Sequence, residues 1–250
     1  MARRATEKAL SNILGHTALI DLSPEEWTAI WLSLRIAVVA TLASLPFGIL
    51  AAYALARWHF PGKMIFNGIV HLPLVLPPVV TGYLLLIGFG RRGIFGAFLA
   101  EKLDIVLSFR WTGAALACAI MGFPLMVRAM RLSFEAIDRN LEKAAGTLGA
   151  NRLFTFGLVS LPLALPGIVV GAILAFAKAL GEFGATITFV SNIPGQTQTI
   201  SSAIYSYTQV PGGDESALRL TVVSIVIALV ALIASELIQR RAEKHLASFE

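Results

Sequence analysis

The sequence predicts an all-α fold, a polytopic bundle of about five helices spanning a lipid bilayer. Three observations predict it. Apolar residues make up 56% of the 250-residue chain and charged residues only 14%, against about 25% charged in ordinary soluble chains. The charges sit in clusters and leave charge-free windows at residues 36–56, 64–90, 111–127, 153–177 and 220–235. Each window approaches the roughly 20 residues that a helix needs to cross about 30 Å of hydrocarbon. A soluble enzyme, a disulfide-rich secreted module and a disordered chain are excluded. So is an outer-membrane barrel, whose strands would be about ten residues of alternating polarity.

Residues 1–27 read as an N-terminal extension on the outer side, ahead of a transmembrane domain at 28–238. The first span is expected at 28–56, with Arg35 one to two turns from its start, where a long side chain reaches back toward headgroups. The second, 64–90, contains Pro73, Pro77 and Pro78. These remove backbone donors and clash with preceding carbonyls, so the helix must bend or break. Pro77, Pro78 and Thr81 then either line a cavity or belong to a kink packed against neighbours. The third span, 111–130, carries Pro124. The fourth, 161–187, repeats small residues every fourth position, Gly167, Gly171, Ala175 and Ala179, a spacing that lets helices approach closely. Packing within a subunit or at a seam between copies is expected there, rather than substrate contact. The fifth span is expected at 217–238, followed by a tail at 239–250.

The uncharged stretch 183–213 is rich in Ser, Thr, Gly and Gln and reads as a polar loop. Its hydroxyls, Thr186 among them, are donors for an oxyanion or a docking protein, or simply an exposed surface. Arg91, Arg92 and Lys102 form an outer basic segment that either guides anions or borders headgroups.

Five spans put the termini on opposite sides. The face holding Arg57, Lys63, Arg128, Arg131, Arg139, Lys143, Arg152, Arg240, Arg241 and Lys244 is more basic for its length than the face holding Arg3, Arg4, Lys8, Arg91, Arg92, Lys102, Arg110 and Arg219. The positive-inside rule therefore places the N-terminus outside and the C-terminus in the cytoplasm. The net charge of +5 is that of basic membrane loops, and no nucleic-acid partner is expected. Cys118 is alone, and His16, His59, His71 and His245 share no metal-ligand spacing, so no metal or catalytic residue is assigned. There is no G-x-x-x-x-G-K-[ST] loop, so any ATP hydrolysis must come from another polypeptide.

The longest inner loop, 131–160, carries the most information. Leu141, Ala144, Ala145 and Leu148 fall at i, i+3, i+4 and i+7, an apolar stripe on a short helix, with Gly149 where a left-handed stop is expected. So short a helix is marginal alone in water. It either folds back on the protein's own helix ends or docks on a partner.

The run Lys143-Ala144-Ala145-Gly146-Thr147-Leu148-Gly149, followed after nine residues by Val159-Ser160-Leu161-Pro162, resembles the E-A-A-x-x-x-G-x(9)-I-x-L-P loop of binding-protein-dependent ABC importer permeases. Lys143 stands where that family has Glu, with Glu142 adjacent, and Val159 replaces Ile. The segments His71–Gly82, Leu180–Thr186 and Ser191–Gly195 are similar to the permease of molybdate importers, over nearly the whole chain from about residue 23. Sulfate and thiosulfate permeases share a related G-E-F-G-A stretch. The resemblance implies a type I ABC importer permease in a bacterial inner membrane. Its 131–160 loop would couple to an ATPase through Leu141, Lys143, Ala144, Ala145, Leu148, Gly149, Val159, Leu161 and Pro162. It further implies a homodimer, two ATPase subunits carrying ATP and magnesium, and a periplasmic molybdate-binding protein. No cofactor is expected in this chain itself.

Lys178 and Glu182 lie at i, i+4 on one helical face and can pair, which lowers the cost of placing them in the bilayer. They are assigned either to the pathway or gate, with Thr186, or to a structural pair. A secondary transporter would show internal repeats and several midplane carboxylates, and an intramembrane enzyme a catalytic cluster at one depth. Neither pattern is evident in the sequence.

Overall fold

A computed structural model describes residues 22–247, and these are helices joined by turns, with no strand among the described residues. Most of the N-terminal extension, including Arg3, Arg4, Lys8 and His16, lies outside the described residues. So do the side chains of Arg240, Arg241, Lys244 and His245.

Helix α1 (Pro24–Arg57) begins four residues before the expected boundary because its start is capped. Ser23 Oγ accepts from the Glu26 N–H at 3.2 Å while the Ser23 N–H donates to the Glu26 carboxylate at 2.7 Å, and Pro24 sits at the first helical position, where no donor is needed. Arg35 is consequently about three turns in, deeper than the sequence suggested. Its guanidinium lies 3.8 Å over the Trp111 ring, a cation–π contact.

Helices α2 (Lys63–Val75) and α3 (Pro78–Phe89) meet at 113°. The break expected from the prolines falls at Leu76–Pro77, where Leu76 is extended because a following proline disfavours the helical conformation. A short helix, α4 (Ile94–Leu103), follows within the outer basic segment. Helix α5 (Trp111–Ala136) continues through Pro124 and six residues past its expected end.

Helix α6 (Arg139–Thr147) occupies the loop that carries the apolar stripe. Helix α7 (Arg152–Leu163), with a wide-turn stretch at Phe156–Ser160, meets α8 (Leu165–Leu180) at 69°. The expected continuous span 161–187 is therefore corrected. Pro166 has no N–H to offer the Pro162 carbonyl, so the chain turns at Ala164, and it leaves the helix again at Gly181.

The polar stretch 183–213 is not a loop. It forms α9 (Gly184–Val190) and α10 (Ile200–Thr208), because its hydroxyls serve the backbone: Thr199 and Ser202 make a capping box, and Thr188 and Ser206 each donate to the carbonyl four residues back. Helix α11 (Asp214–Ala247) closes the chain. Helices α1, α5 and the first part of α11 are long and apolar enough to cross a membrane, and the two bent pairs bring the number to as many as five.

Helix α5 is central, flanked by α1 and α8. On α1 the buried face is mostly small (Ala29, Ala37, Ala40, Ala51, Ala52, with Ile30, Leu32, Ile36 and Leu55 among them) and the exposed face carries bulk (Trp31, Leu42, Phe47, Leu50), unlike a soluble helix. Lipid is as apolar as leucine, so helices gain by approaching closely rather than by hiding bulk. The α8 stripe does this within the chain. Gly167, Gly171, Ala175 and Ala179 are all buried, and a Cβ on Gly171 would lie 2.8 Å from the Met126 carbonyl of α5. Cys118 packs beside the same seam, its Sγ 3.6 Å from the Ala179 carbonyl oxygen. At the start of α1, the fully buried Glu26 accepts from Arg219 of α11 at 2.9 Å, and Arg219 also donates to Ser216 at 2.8 Å. Beyond Leu220, which is buried against Ala29, Ile30, Ile200 and Ala203, the described side chains of α11 are largely uncovered.

Gly171→Val forces α8 off α5 and is expected to cost about 1–3 kcal/mol, in the range of overpacked cores. Thermal unfolding in detergent should show a lowered midpoint, whereas Gly181→Ala, whose new Cβ would stand 3.9 Å from the nearest atom, should leave it unchanged.

Candidate functional site

One end of the molecule is organised around a single carboxylate. Glu142 on α6 lies 3.1 Å from Arg57 Nε at the end of α1 and accepts from Ser160 Oγ at 2.8 Å. The Arg57 Nε–H is not aimed along that line, so the pair is held by charge, while Arg57 Nη2 donates to the Ile137 carbonyl at 2.8 Å. Both side chains are largely covered, at 7% and 18% exposure, where a charge pair is screened less than at the surface. Asp138 starts α6 by accepting from the Asn140 N–H at 2.9 Å. Gly149 ends it at φ +89°, a left-handed turn that favours glycine.

This arrangement joins both halves of the sequence motif. Ser160, between Val159 and Leu161, is clasped to Glu142 beside Lys143. Leu161 packs on the inner core, Val159 is half-buried and Pro162 exposed. The apolar stripe does not fold back on the chain's own helix ends. Leu141 is 49% and Leu148 89% exposed, Ala144 is exposed and Ala145 half-buried, and α6 has no buried residue. Arg57, Asp138 and Ser160 were not singled out from sequence. Only the Asp at an N-cap position before the stripe was a readable signal.

The second cluster lies where α8 gives way to α9. Lys178 Nζ is 2.6 Å from Glu182 Oε2, and Glu182 Oε1 accepts from the Ala185 N–H at 3.0 Å. The expected pair therefore forms, and Glu182, 1% exposed, also caps α9. Thr186 turns its hydroxyl to the Phe183 carbonyl at 2.9 Å. Helix α3 packs on α9: a Cβ on Gly82 would stand 2.5 Å from the Ala185 carbonyl and one on Gly184 2.7 Å from Pro78 Cβ. Pro77 and Pro78 are exposed, and Thr81 is buried with its hydroxyl unpartnered. The structure thus gathers Pro78, Glu182 and Thr186 at the α3–α9 contact, with both charges of Lys178–Glu182 already engaged.

At the opposite end a basin of about 870 Å³ is lined by Arg91, Arg92 and Arg110, with Asp104 and Gln196. Lys102 instead lies in the last turn of α4. Among the described residues no group of three or more metal-ligating side chains converges.

Comparison with known proteins adds three findings. The family model described as "Binding-protein-dependent transport system inner membrane component" matches residues 44–244. The chain is 56% identical over 219 residues, 88% of its length and 96% of the relative's, to the molybdenum transport system permease protein ModB of Escherichia coli (strain K12), and 37% identical over 183 residues, 73% of its length and 66% of the relative's, to the sulfate transport system permease protein CysT of the same organism. Among solved structures, a bacterial ABC transporter involved in import of the acidic polysaccharide alginate shares the fold, with a TM-score of 0.70 at 21% identity over 88% of this chain and 80% of that one.

Glu142→Ala should release α6 from α1 and α7 by removing both of its partners, at a cost of about 1–3 kcal/mol. Trypsin cleavage after Arg139 or Lys143 in the detergent-purified chain should become severalfold faster. Adding Arg57→Ala should change it little further if the two residues act as one unit.

Proposed function

The chain belongs to the family of binding-protein-dependent transport system inner membrane components, and from that membership we infer that it is the multi-pass inner-membrane permease subunit of a molybdate ABC importer. The relative with 56% identity over nearly its full length transports molybdenum by name, while the sulfate permease is more distant. Sulfate, thiosulfate and tungstate remain the competing cargoes, since all are oxyanions of related shape.

The observation that carries the mechanism is the uncovered stripe of Leu141, Ala144, Ala145 and Leu148 on a helix clasped to α1 and α7. We assign this stripe to a separate ATPase subunit, which holds ATP and magnesium and supplies the hydrolysis. Two such subunits would serve a pair of permease chains, with a periplasmic molybdate-binding protein on the outer face and α6 in the cytoplasm. The N-terminus then lies outside, consistent with the excess of basic residues near α6. ATP-driven closure of the ATPase pair displaces α6, and Glu142 passes the displacement to α1 through Arg57 and to α7 through Ser160. Each state must contact the ATPase differently, because a partner without differential affinity shifts no equilibrium.

The membrane part need not bind the anion tightly. A dehydrated dianion needs several donors, and Lys178 is already neutralised by Glu182. High affinity is left to the binding protein, and the permease offers a hydrated route near the α3–α9 contact.

Uptake of labelled molybdate into vesicles holding the complete importer should require ATP and the ATPase subunit, and should be competed by tungstate more than by sulfate or thiosulfate. Uptake that survives loss of the ATPase would point to an ion-gradient transporter. Ala145→Glu or Gly149→Asp should leave the permease inserted and abolish ATP-dependent uptake; normal uptake by either variant would overturn the docking assignment.

A further inference from the structure

The basin at the end opposite α6 takes no part in the coupling. It is enclosed by three stretches far apart in the chain: the end of α3 with the turn after it, the turn between α4 and α5, and the turn between α9 and α10. Folding brings Arg110 to Arg91 and Arg92 there, in place of the Lys102 expected from sequence. None of the three arginines forms an ion pair or a side-chain hydrogen bond among the described residues. Asp104 is the one carboxylate of the lining, so the wall keeps an excess of positive charge. Glu101 and Lys102, adjacent on α4, cancel each other at longer range.

Neutral donors face the same space. Ser108 lines the basin and is 5% exposed, and its hydroxyl makes no hydrogen bond among the described residues, a costly state for a covered hydroxyl. The Gln196 amide is likewise unengaged. Its turn is fixed by Thr197, whose hydroxyl accepts from the Ile193 N–H at 2.9 Å and donates to the Ser191 carbonyl at 3.3 Å. Between Ser108 and Arg110, Phe109 holds φ at +58°, a left-handed conformation that a bulky residue keeps only where its surroundings impose it.

The position of the basin also matters. Helices α3 and α9 start side by side, Pro78 against Gly184 and Gly82 against Ala185, and both run toward it: Leu86, Ile87 and Gly90 at the end of α3 line it, and Gln196 follows α9. It therefore lies at the far end of the contact beside which the anion route was placed.

We propose that this basin is a capture site for the tetrahedral oxyanion, in which Arg91, Arg92 and Arg110 hold the hydrated dianion while Ser108 and Gln196 donate to its oxygens; this rests on the cargo class and the orientation proposed above. Guanidinium groups match oxyanions in shape and are weakly hydrated, and a cleft lined by one sign of charge raises the local concentration of the opposite ion. The basin is far larger than a four-oxygen anion, so water stays with the anion and binding is weak and salt-sensitive. That suits a cargo that must move on. A lipid headgroup would make no use of Ser108 and Gln196, and a flat acidic protein surface would meet the rim without filling the hollow.

Arginine modification by phenylglyoxal, read residue by residue by mass spectrometry on the detergent-purified wild-type importer without its binding protein, tests the site. Millimolar molybdate should slow modification of Arg91, Arg92 and Arg110 severalfold relative to chloride at equal ionic strength. Stronger protection by sulfate would keep the site and change the cargo. No protection by molybdate, tungstate or sulfate overturns the site, as does shielding of the three arginines by phosphatidylglycerol or by anion-free binding protein where the oxyanions give none. In vesicles, the triple variant Arg91→Gln, Arg92→Gln, Arg110→Gln should capture the loaded binding protein as the wild type does, yet move severalfold less molybdate per ATP hydrolysed. Lost capture or an unchanged yield per ATP overturns the proposal. Normal ATP-dependent uptake with unprotected arginines would sink this site alone and leave the importer reading standing.

Discussion

Helices α5 and α8 can lie against each other only because Gly167, Gly171 and Ala175 leave almost no side chain between them. In a bilayer this close contact substitutes for the hydrophobic drive that organises soluble proteins. It also sets where everything else can be. With α8 held on α5, and α1 on the neighbouring side through its alanine face, the end of α1 and the start of α7 converge at one end of the bundle. The α8–α9 turn meets the start of α3 at the other site. Both candidate sites are thus by-products of one seam of small residues.

The two sites use charge differently. At the inner end, Arg57 and Glu142 come from different helices, 85 positions apart in the chain, so their attraction joins bodies that could otherwise move separately. Lys178 and Glu182 come from a single helix turn, and Glu182 spends its second oxygen on the first turn of α9. The first pair links a surface helix to the membrane bundle. The second fixes a local bend. Only a pair of the first kind carries displacement from one body to another.

The helical class was legible because apolar runs of the right length need no partner to be recognised, whereas the five expected spans are matched by three straight helices and two bent pairs. The stripe on α6 and its glycine stop were legible for the same local reason, as was the break at Leu76–Pro77. What escaped depended on contacts distant in sequence or on backbone satisfaction. The hydroxyl-rich stretch 183–213 looked like a loop because its Ser and Thr residues count as polar, yet several turn inward to their own helix carbonyls. The Arg35 contact with Trp111 escaped because the two lie 76 positions apart. Arg57 looked like an ordinary basic flank, since nothing local says that Glu142 will face it.

The Glu26–Arg219 bond ties the first and last spans at one end only, and the described side chains of α11 past Leu220 are largely uncovered. Away from that bond α11 leans on α8 and α10. A change in the tilt of α8 therefore reaches the last span without passing through the first.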